Sequence, residues 1–222
     1  MEKIRAIITG ATGMVGEGVL HECLLHPDVE SVLSISRRPC GIEHAKLKEL
    51  LHQDFSDFSA IEKELSGCNA GFFCMGVSSV GMSEEKYRHL TYDLTMALAR
   101  TLAKVNPDMT ICYITGMGAD SSEKGRTMWA RVKGKTENDL MRLPFRGAYM
   151  FRPGFIRPTK GLKNAHGFYL LLDPLFPLAR LLFPNAILTL REIGLAMINS
   201  VHQGPEKRVL EVADIAALAR AR

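Results

Sequence analysis

The sequence predicts an α/β fold, a doubly wound parallel sheet with helices on both faces and a small C-terminal cap. Three observations predict it. Short β-rich runs alternate with longer helical patterns as far as residue 152, the pattern of a parallel sheet crossed by helices. The first run meets a glycine loop that opens straight into a helix. After Pro153 the alternation stops, and Pro158, Pro174, Pro177 and Pro184 break the chain into pieces.

The elements follow in order. "IRAIIT" (4–9) is the first strand. The helix behind it shows apolar positions at Val15, Val19, Leu20, Cys23 and Leu24 and ends before Pro27. "SVLSIS" (31–36) is the second strand, and "KLKELLH" (46–52) the third, with a composition that is equally helical. "FSAIEKEL" is a helix stopped by Gly67, and "AGFFCM" (70–75) a buried strand. A long helix covers 83–104 before Pro107, "TICYIT" (110–115) is the fifth strand, a helix spans about 126–142, and "GAYMFR" (147–152) is the sixth strand. Beyond Pro153 the expectation is a loop with short helices. "TLRE" (189–192) offers a capping box to a helix over 190–201. "RVLEV" (208–212) is a last strand, and Asp214 caps the final helix. One domain over 1–222, with 155–205 as a substrate-side cap, accounts for all of this.

Composition narrows the class. The chain has 222 residues, 46% hydrophobic and 23% charged, ordinary for a globular protein with a sizeable core. A net charge of +4 argues against a nucleic-acid partner, which calls for a concentrated basic face. The five cysteines form no CxxC pair, so buried reduced thiols and a cytoplasmic location are expected. "MEKIRAIITG" lacks the features of a signal peptide. The apolar run "FYLLLDPLFPLARLLF" (168–183) is interrupted by Asp173, Pro174, Pro177 and Arg180. It reads as a buried or pocket-covering helix and not as a membrane span.

The chemistry begins at "TGATGMVGEGVL". Gly10, Gly13 and Gly16 stand between a strand and a helix. In such a loop the first glycine permits a tight turn, the second lets backbone approach a pyrophosphate, and the third lets helix and strand pack closely. With Thr12, Met14 and Val15 they form a dinucleotide phosphate site at a helix N-terminus. The second strand ends in Ser36, Arg37 and Arg38. A carboxylate there would select NAD, whereas guanidinium groups suit the 2′-phosphate of NADP(H). Asp54 is placed to contact the adenine amino group. Phe55 is placed to line its pocket or to join the core. Cys74, Met75 and Gly76 are placed to pass the adenosine ribose. No paired metal spacing, phosphate-binding GxxxxGK[ST] loop or GxSxG elbow occurs.

"TGATGMVG", "SRRP", "DF", "CMG", "ITGMGAD", "WARVKGKTE" and "FRPGFIRP" occur in this order. Together they resemble the atypical short-chain dehydrogenase/reductases, and within them the small Tat-interacting-protein-type oxidoreductases. The resemblance covers about residues 3–160. It implies a Rossmann-type fold with NADP(H) across the strand ends. It also implies a chemical centre of Ser/Thr plus Tyr-x-x-x-Lys, in which the lysine holds the nicotinamide ribose and lowers the tyrosine pKa. Thr115 and Lys133 match two of those positions, and the tyrosine position is Trp129. Pro153, Gly154, Phe155 and Ile156 match the segment that borders the nicotinamide.

Indole N–H is a donor only and cannot serve as an acid near neutral pH. Tyr87, Tyr92, Asp93 or Thr115 could supply a proton or orient a water, and no spacing in the sequence singles one out. Two functions stay open. One is an NADP-dependent oxidoreductase or epimerase-like enzyme with a modified centre and an unidentified small substrate. The other is a catalytically weak NADP(H)-binding regulator or redox sensor acting through a protein partner. A homodimer is compatible with both.

Overall fold

The computed structural model describes residues 2–164, 176, 182–183 and 185–221. The apolar run 168–183 lies largely outside these residues. A seven-stranded sheet has the order β3-β2-β1-β4-β5-β6-β9, and every adjacent pair is parallel. Its strands are β1 (Ile4–Thr9), β2 (Val29–Ser36), β3 (Leu47–Leu51), β4 (Ala70–Phe73), β5 (Thr110–Ile114), β6 (Gly147–Phe151) and β9 (Val209–Leu210). The order reverses between β1 and β4, which opens a crevice at the carboxyl ends of the strands.

β1 shows why the layers form. Ile4, Ala6 and Ile8 face one apolar core, and Ile7 faces the other, the period-two alternation of a strand covered on both sides. The first core is closed by α1 (Met14–Leu25), α6 (Leu190–Gln203) and α7 (Val212–Leu218). The second is closed by α4 (Leu94–Val105) and α5 (Met128–Met141).

Four local expectations need correction. The helix expected over 83–104 is α3 (Glu84–Arg88) and α4 joined by a wide π turn at His89–Asp93. Its buried positions Tyr87, Thr91 and Thr95 recur every four residues, and a wide turn absorbs the mismatch with a 3.6-residue period. The helix expected at "FSAIEKEL" is a 3-10 turn at Ser59–Ile61 followed by a single turn, α2 (Glu62–Leu65). The expected loop after Pro153 contains β7 (Phe155–Arg157), which pairs in parallel with β8 (Ile187–Thr189) as a second sheet. Three-residue strands are too short to show a period. The cap of α7 is Glu211, and Asp214 contributes from inside the helix by accepting the Glu211 N–H at 3.1 Å. The capping box of α6 forms as expected between Thr189 and Glu192.

One buried ion pair ties four elements together. Arg152, just past β6, donates from Nε to Glu137 of α5 at 2.9 Å, and its Nη2 reaches the other oxygen of that carboxylate. The same guanidinium bonds Ser121 Oγ at 2.6 Å and Glu211 at 3.3 Å. The Glu137 side chain is wholly buried. Removing one partner strands the other charge, at a cost of about 3–5 kcal/mol. Glu137→Ala is therefore expected to lower unfolding free energy by about that amount in a urea titration. A loss below about 1 kcal/mol would mean that solvent replaces the carboxylate.

Candidate functional site

The glycine loop leaves β1 at the crevice. Gly10 has φ +78°, and a β-carbon there would lie 2.6 Å from the Cys74 carbonyl carbon. A β-carbon on Gly16 would lie 2.0 Å from the Gly10 oxygen. The protein's own backbone forbids a side chain at both positions. Gly13 differs. Its φ is −108°, open to any residue, and its nearest neighbour would be the Gly10 oxygen at 3.4 Å, an ordinary contact. No atom of the described residues requires glycine there. Thr12 and Gly13 are exposed, and no side chain caps the start of α1. The N–H groups of Met14, Val15 and Gly16 precede the first intrahelical bond, from the Glu17 N–H to the Gly13 carbonyl at 2.8 Å, and such free donors at a helix start suit an anion.

On the β2 side of the loop, Arg37 and Arg38 are exposed. Neither guanidinium has a partner among the described residues. Their backbone is held, since Ser36 Oγ donates to the Arg38 carbonyl at 2.6 Å and Gln53 Nε2 to the Arg37 carbonyl at 2.8 Å. Asp54 accepts the N–H and hydroxyl of Ser56 at 2.9 and 2.5 Å, and these bonds lower its pKa. Phe55 is buried edge-on against Phe58 with ring centroids 5.5 Å apart. Its ring thus belongs to the second apolar core. Cys74 is buried with its N–H on the Thr9 carbonyl at 3.2 Å, Met75 is half-buried, and Gly76 faces open space.

On the β5 side, Thr115 and Lys133 come together. Lys133 Nζ donates to the carbonyls of Ile114 at 3.2 Å and Thr115 at 2.9 Å. It also lies 5.5 Å from the centre of the Tyr113 ring. Burial pushes its ammonium down to about 8, and the Glu137 carboxylate one turn along α5 partly opposes that shift. Trp129 is half-buried, its ring tip facing Gly118 in the loop after β5. Pro153 accepts the Met117 N–H at 2.9 Å, and Gly154 and Phe155 pass close to Ala186. Two of the substitute proton sources are engaged by hydrogen bonds. Thr115 Oγ1 donates to the Phe151 carbonyl at 3.0 Å, and Tyr92 donates to Asp139 at 2.7 Å. Asp93 is exposed near His89, at 3.5 Å, and Tyr87 is buried.

A family model of the NAD dependent epimerase/dehydratase family matches residues 6–136, from β1 through the lysine-bearing helix. The chain belongs to that family. Among solved structures, the Bordetella bronchiseptica enzyme WbmG in complex with NAD superposes with TM-score 0.69 at 13% identity over 98% of this chain and 77% of its own. A short-chain dehydrogenase/reductase-family oxidoreductase from Burkholderia thailandensis gives TM-score 0.66 at 12% identity over 92% of this chain and 87% of its own. "Protein FMP52, mitochondrial" of Candida albicans is 28% identical over 72% of this chain and 69% of that protein. Such relatives overturn the expected cytoplasmic location, because they are named as mitochondrial. The reduced thiols behind that expectation do not distinguish the two compartments.

One buried carboxylate beside the glycine loop was not singled out in the sequence. Glu17, in the first turn of α1, is buried and accepts the backbone N–H groups of Lys163 and Asn164, each at 2.8 Å. It ties the phosphate-facing helix to the chain beyond β7. A carboxylate inside a glycine and apolar helix was the available signal. Among the described residues no side chains group as a metal site, and no helix is long and apolar enough to cross a membrane.

Lys133 carries a pH signature. Its pKa is about 8 in the folded chain against an ordinary 10.5, so between those values the unfolded chain holds more protons and stability rises with pH. Lys133→Met is expected to flatten that rise in denaturation midpoints measured from pH 8 to 10. An unchanged slope would show that the ammonium is solvated.

Proposed function

We propose that this chain binds NADP(H) along the carboxyl edge of its sheet and acts as an oxidoreductase or epimerase-like enzyme. Trp129 stands in it where related reductases carry tyrosine. The observation that carries the reading is Gly13, where a β-carbon would meet only the Gly10 oxygen at 3.4 Å, so the described fold does not demand a glycine. The residues present fit the cofactor. The N–H groups of Met14, Val15 and Gly16 would hold the pyrophosphate, and Arg37 and Arg38 the 2′-phosphate. Asp54 would meet the adenine, and the backbone of Cys74, Met75 and Gly76 the adenosine ribose. Thr115 and Lys133 would meet the nicotinamide ribose, bordered by the backbone of Pro153, Gly154, Phe155 and Ile156.

When bound, the cofactor supplies or accepts a hydride. The chain's own residues orient the substrate and handle its proton. An ammonium has three N–H groups. Lys133 places two on the carbonyls of Ile114 and Thr115 and keeps a third for an oxygen in the crevice. A second reading is a catalytically weak NADP(H)-binding regulator. Trp129 and the engaged hydroxyls of Thr115 and Tyr92 favour it.

NADPH is expected to bind roughly tenfold to a hundredfold more tightly than NADH, the worth of one charge-assisted hydrogen bond or more. Quenching of the single tryptophan reports the titration. Arg37→Ala with Arg38→Ala should erase the difference, and equal affinities in the wild type would remove the NADP assignment.

Gly13→Val is expected to fold and to lose dinucleotide binding, whereas Gly16→Ala is expected to lose the fold. Wild-type affinity in a folded Gly13→Val protein would reduce the loop to a turn. Thermal melts and the same titration separate the two variants.

A further inference from the structure

The large apolar side chains that remain exposed are gathered in one region. Among the described residues, all but Leu25 and Leu51 stand at the carboxyl edge of the main sheet or in the segments beside it. Val77 and Val80 follow β4, Met117 follows β5, Phe155 opens β7, and Leu182 and Phe183 precede β8. Backbone hydrogen bonds draw these loops together. The Met117 N–H donates to the Pro153 carbonyl at 2.9 Å, the Phe155 N–H to Ala186 at 2.7 Å, and the Ala186 N–H to Phe183 at 3.1 Å. The β4 loop joins the group because β4 pairs with β5. Met117 is 53% exposed and Phe183 62%. Trp129 abuts Gly118, the neighbour of Met117, and so extends the same apolar surface.

Single exposed apolar side chains are normal, but a gathered patch marks a binding surface. Its place says for what. Ligands of open parallel sheets sit beyond the carboxyl ends of the strands, and Lys133 and the segment 153–156 stand at that edge. Of the nearby hydroxyls, Thr115 Oγ1 spends its proton on the Phe151 carbonyl at 3.0 Å, while Ser78 Oγ, which accepts the Val80 N–H at 3.3 Å, keeps its own O–H. A tyrosine hydroxyl at position 129 would have added a polar group; the indole adds hydrocarbon.

We infer that the crevice takes a lipophilic substrate, an uncharged carbonyl compound or its alcohol with an extended alkyl or aryl body, seated against Met117, Trp129, Phe155 and Phe183. The inference rests on the dinucleotide reading above and adds the substrate class to it. The sequence leading into Leu182 and Phe183 is itself apolar, "FYLLLDPLFPLAR", in keeping with such a ligand. The body of the substrate gains its affinity from apolar area removed from water.

The test uses the full chain saturated with NADPH, whose complex with an alcohol cannot turn over. Butanol, hexanol and octanol are titrated in turn, with glucuronate as the polar control, and Trp129 fluorescence and calorimetry report binding. Affinity should rise roughly two- to fourfold per added methylene, since each buried CH₂ is worth up to about fourfold. Glucuronate should not compete. Phe183→Ser should weaken octanol binding roughly tenfold and leave NADPH affinity unchanged. Affinity independent of chain length, or glucuronate binding better than octanol, would overturn the substrate class while leaving the cofactor reading intact. So would a concentration-dependent dimer that excludes octanol, which would assign the patch to a second copy of the chain. Failure to bind NADPH at all would overturn both readings.

Discussion

The first turn of α1 lies against the turn that follows β1, so close that a β-carbon on Gly16 would sit 2.0 Å from the Gly10 oxygen. The rest of the site depends on this approach. It puts the start of the helix at the mouth of the crevice between β1 and β4, with its N–H groups unclaimed. Gly10 makes the matching approach to the end of β4. Glu17, one residue further along the helix, then reaches the backbone of Lys163 and Asn164. The phosphate-facing turn, the neighbouring strand and the chain beyond β7 are thereby fixed relative to one another by contacts within a single helical turn.

The other half of the crevice is set by α5. A β-carbon on Gly134 would lie 1.8 Å from the Asp120 oxygen, so the helix presses on the loop after β5 and carries Lys133 and Trp129 to that edge. Glu137, a turn further on, is held by Arg152. One face of α5 therefore presents an indole at the crevice, an ammonium whose proton is loosened by burial, and a carboxylate locked in an ion pair. The phenol beside this lysine is that of Tyr113 on β5, its ring centre 5.5 Å away and buried, and position 129 itself carries an indole. The edge is thus formed by a lysine on two carbonyls beside a half-buried ring.

Much of this was legible in the residues. The inner strands β1, β4, β5 and β6 have apolar runs, and the three glycines are spaced for a strand–turn–helix, so the layers and the loop follow from local pattern alone. Trp129 and Lys133 share a face because they are four residues apart. What escaped the reading depended on distant parts of the chain. β7 and β8 are three residues each and are separated by a long stretch of sequence, so neither shows a period. Phe55 could belong to an adenine pocket or to the core, and only Phe58 and the layer around it decide for the core. The partners of Glu17 lie on the other side of the molecule in sequence. The cytoplasmic location rested on thiol chemistry, which carries no address.

Gly13 sets stability against affinity at one position. Its extended backbone is the conformation of a helix N-cap, where serine or aspartate would accept a hydrogen bond from the free N–H groups and hold the helix end by a few tenths of a kcal/mol more than glycine does. The chain leaves that bond unmade. Selection for thermal resistance alone would fill the position, and each such gain would be taken from the room a phosphate needs. A lineage that had ceased to bind the dinucleotide would be free to accept serine there without disturbing a strand or a helix, so this one residue records whether the site is still in use.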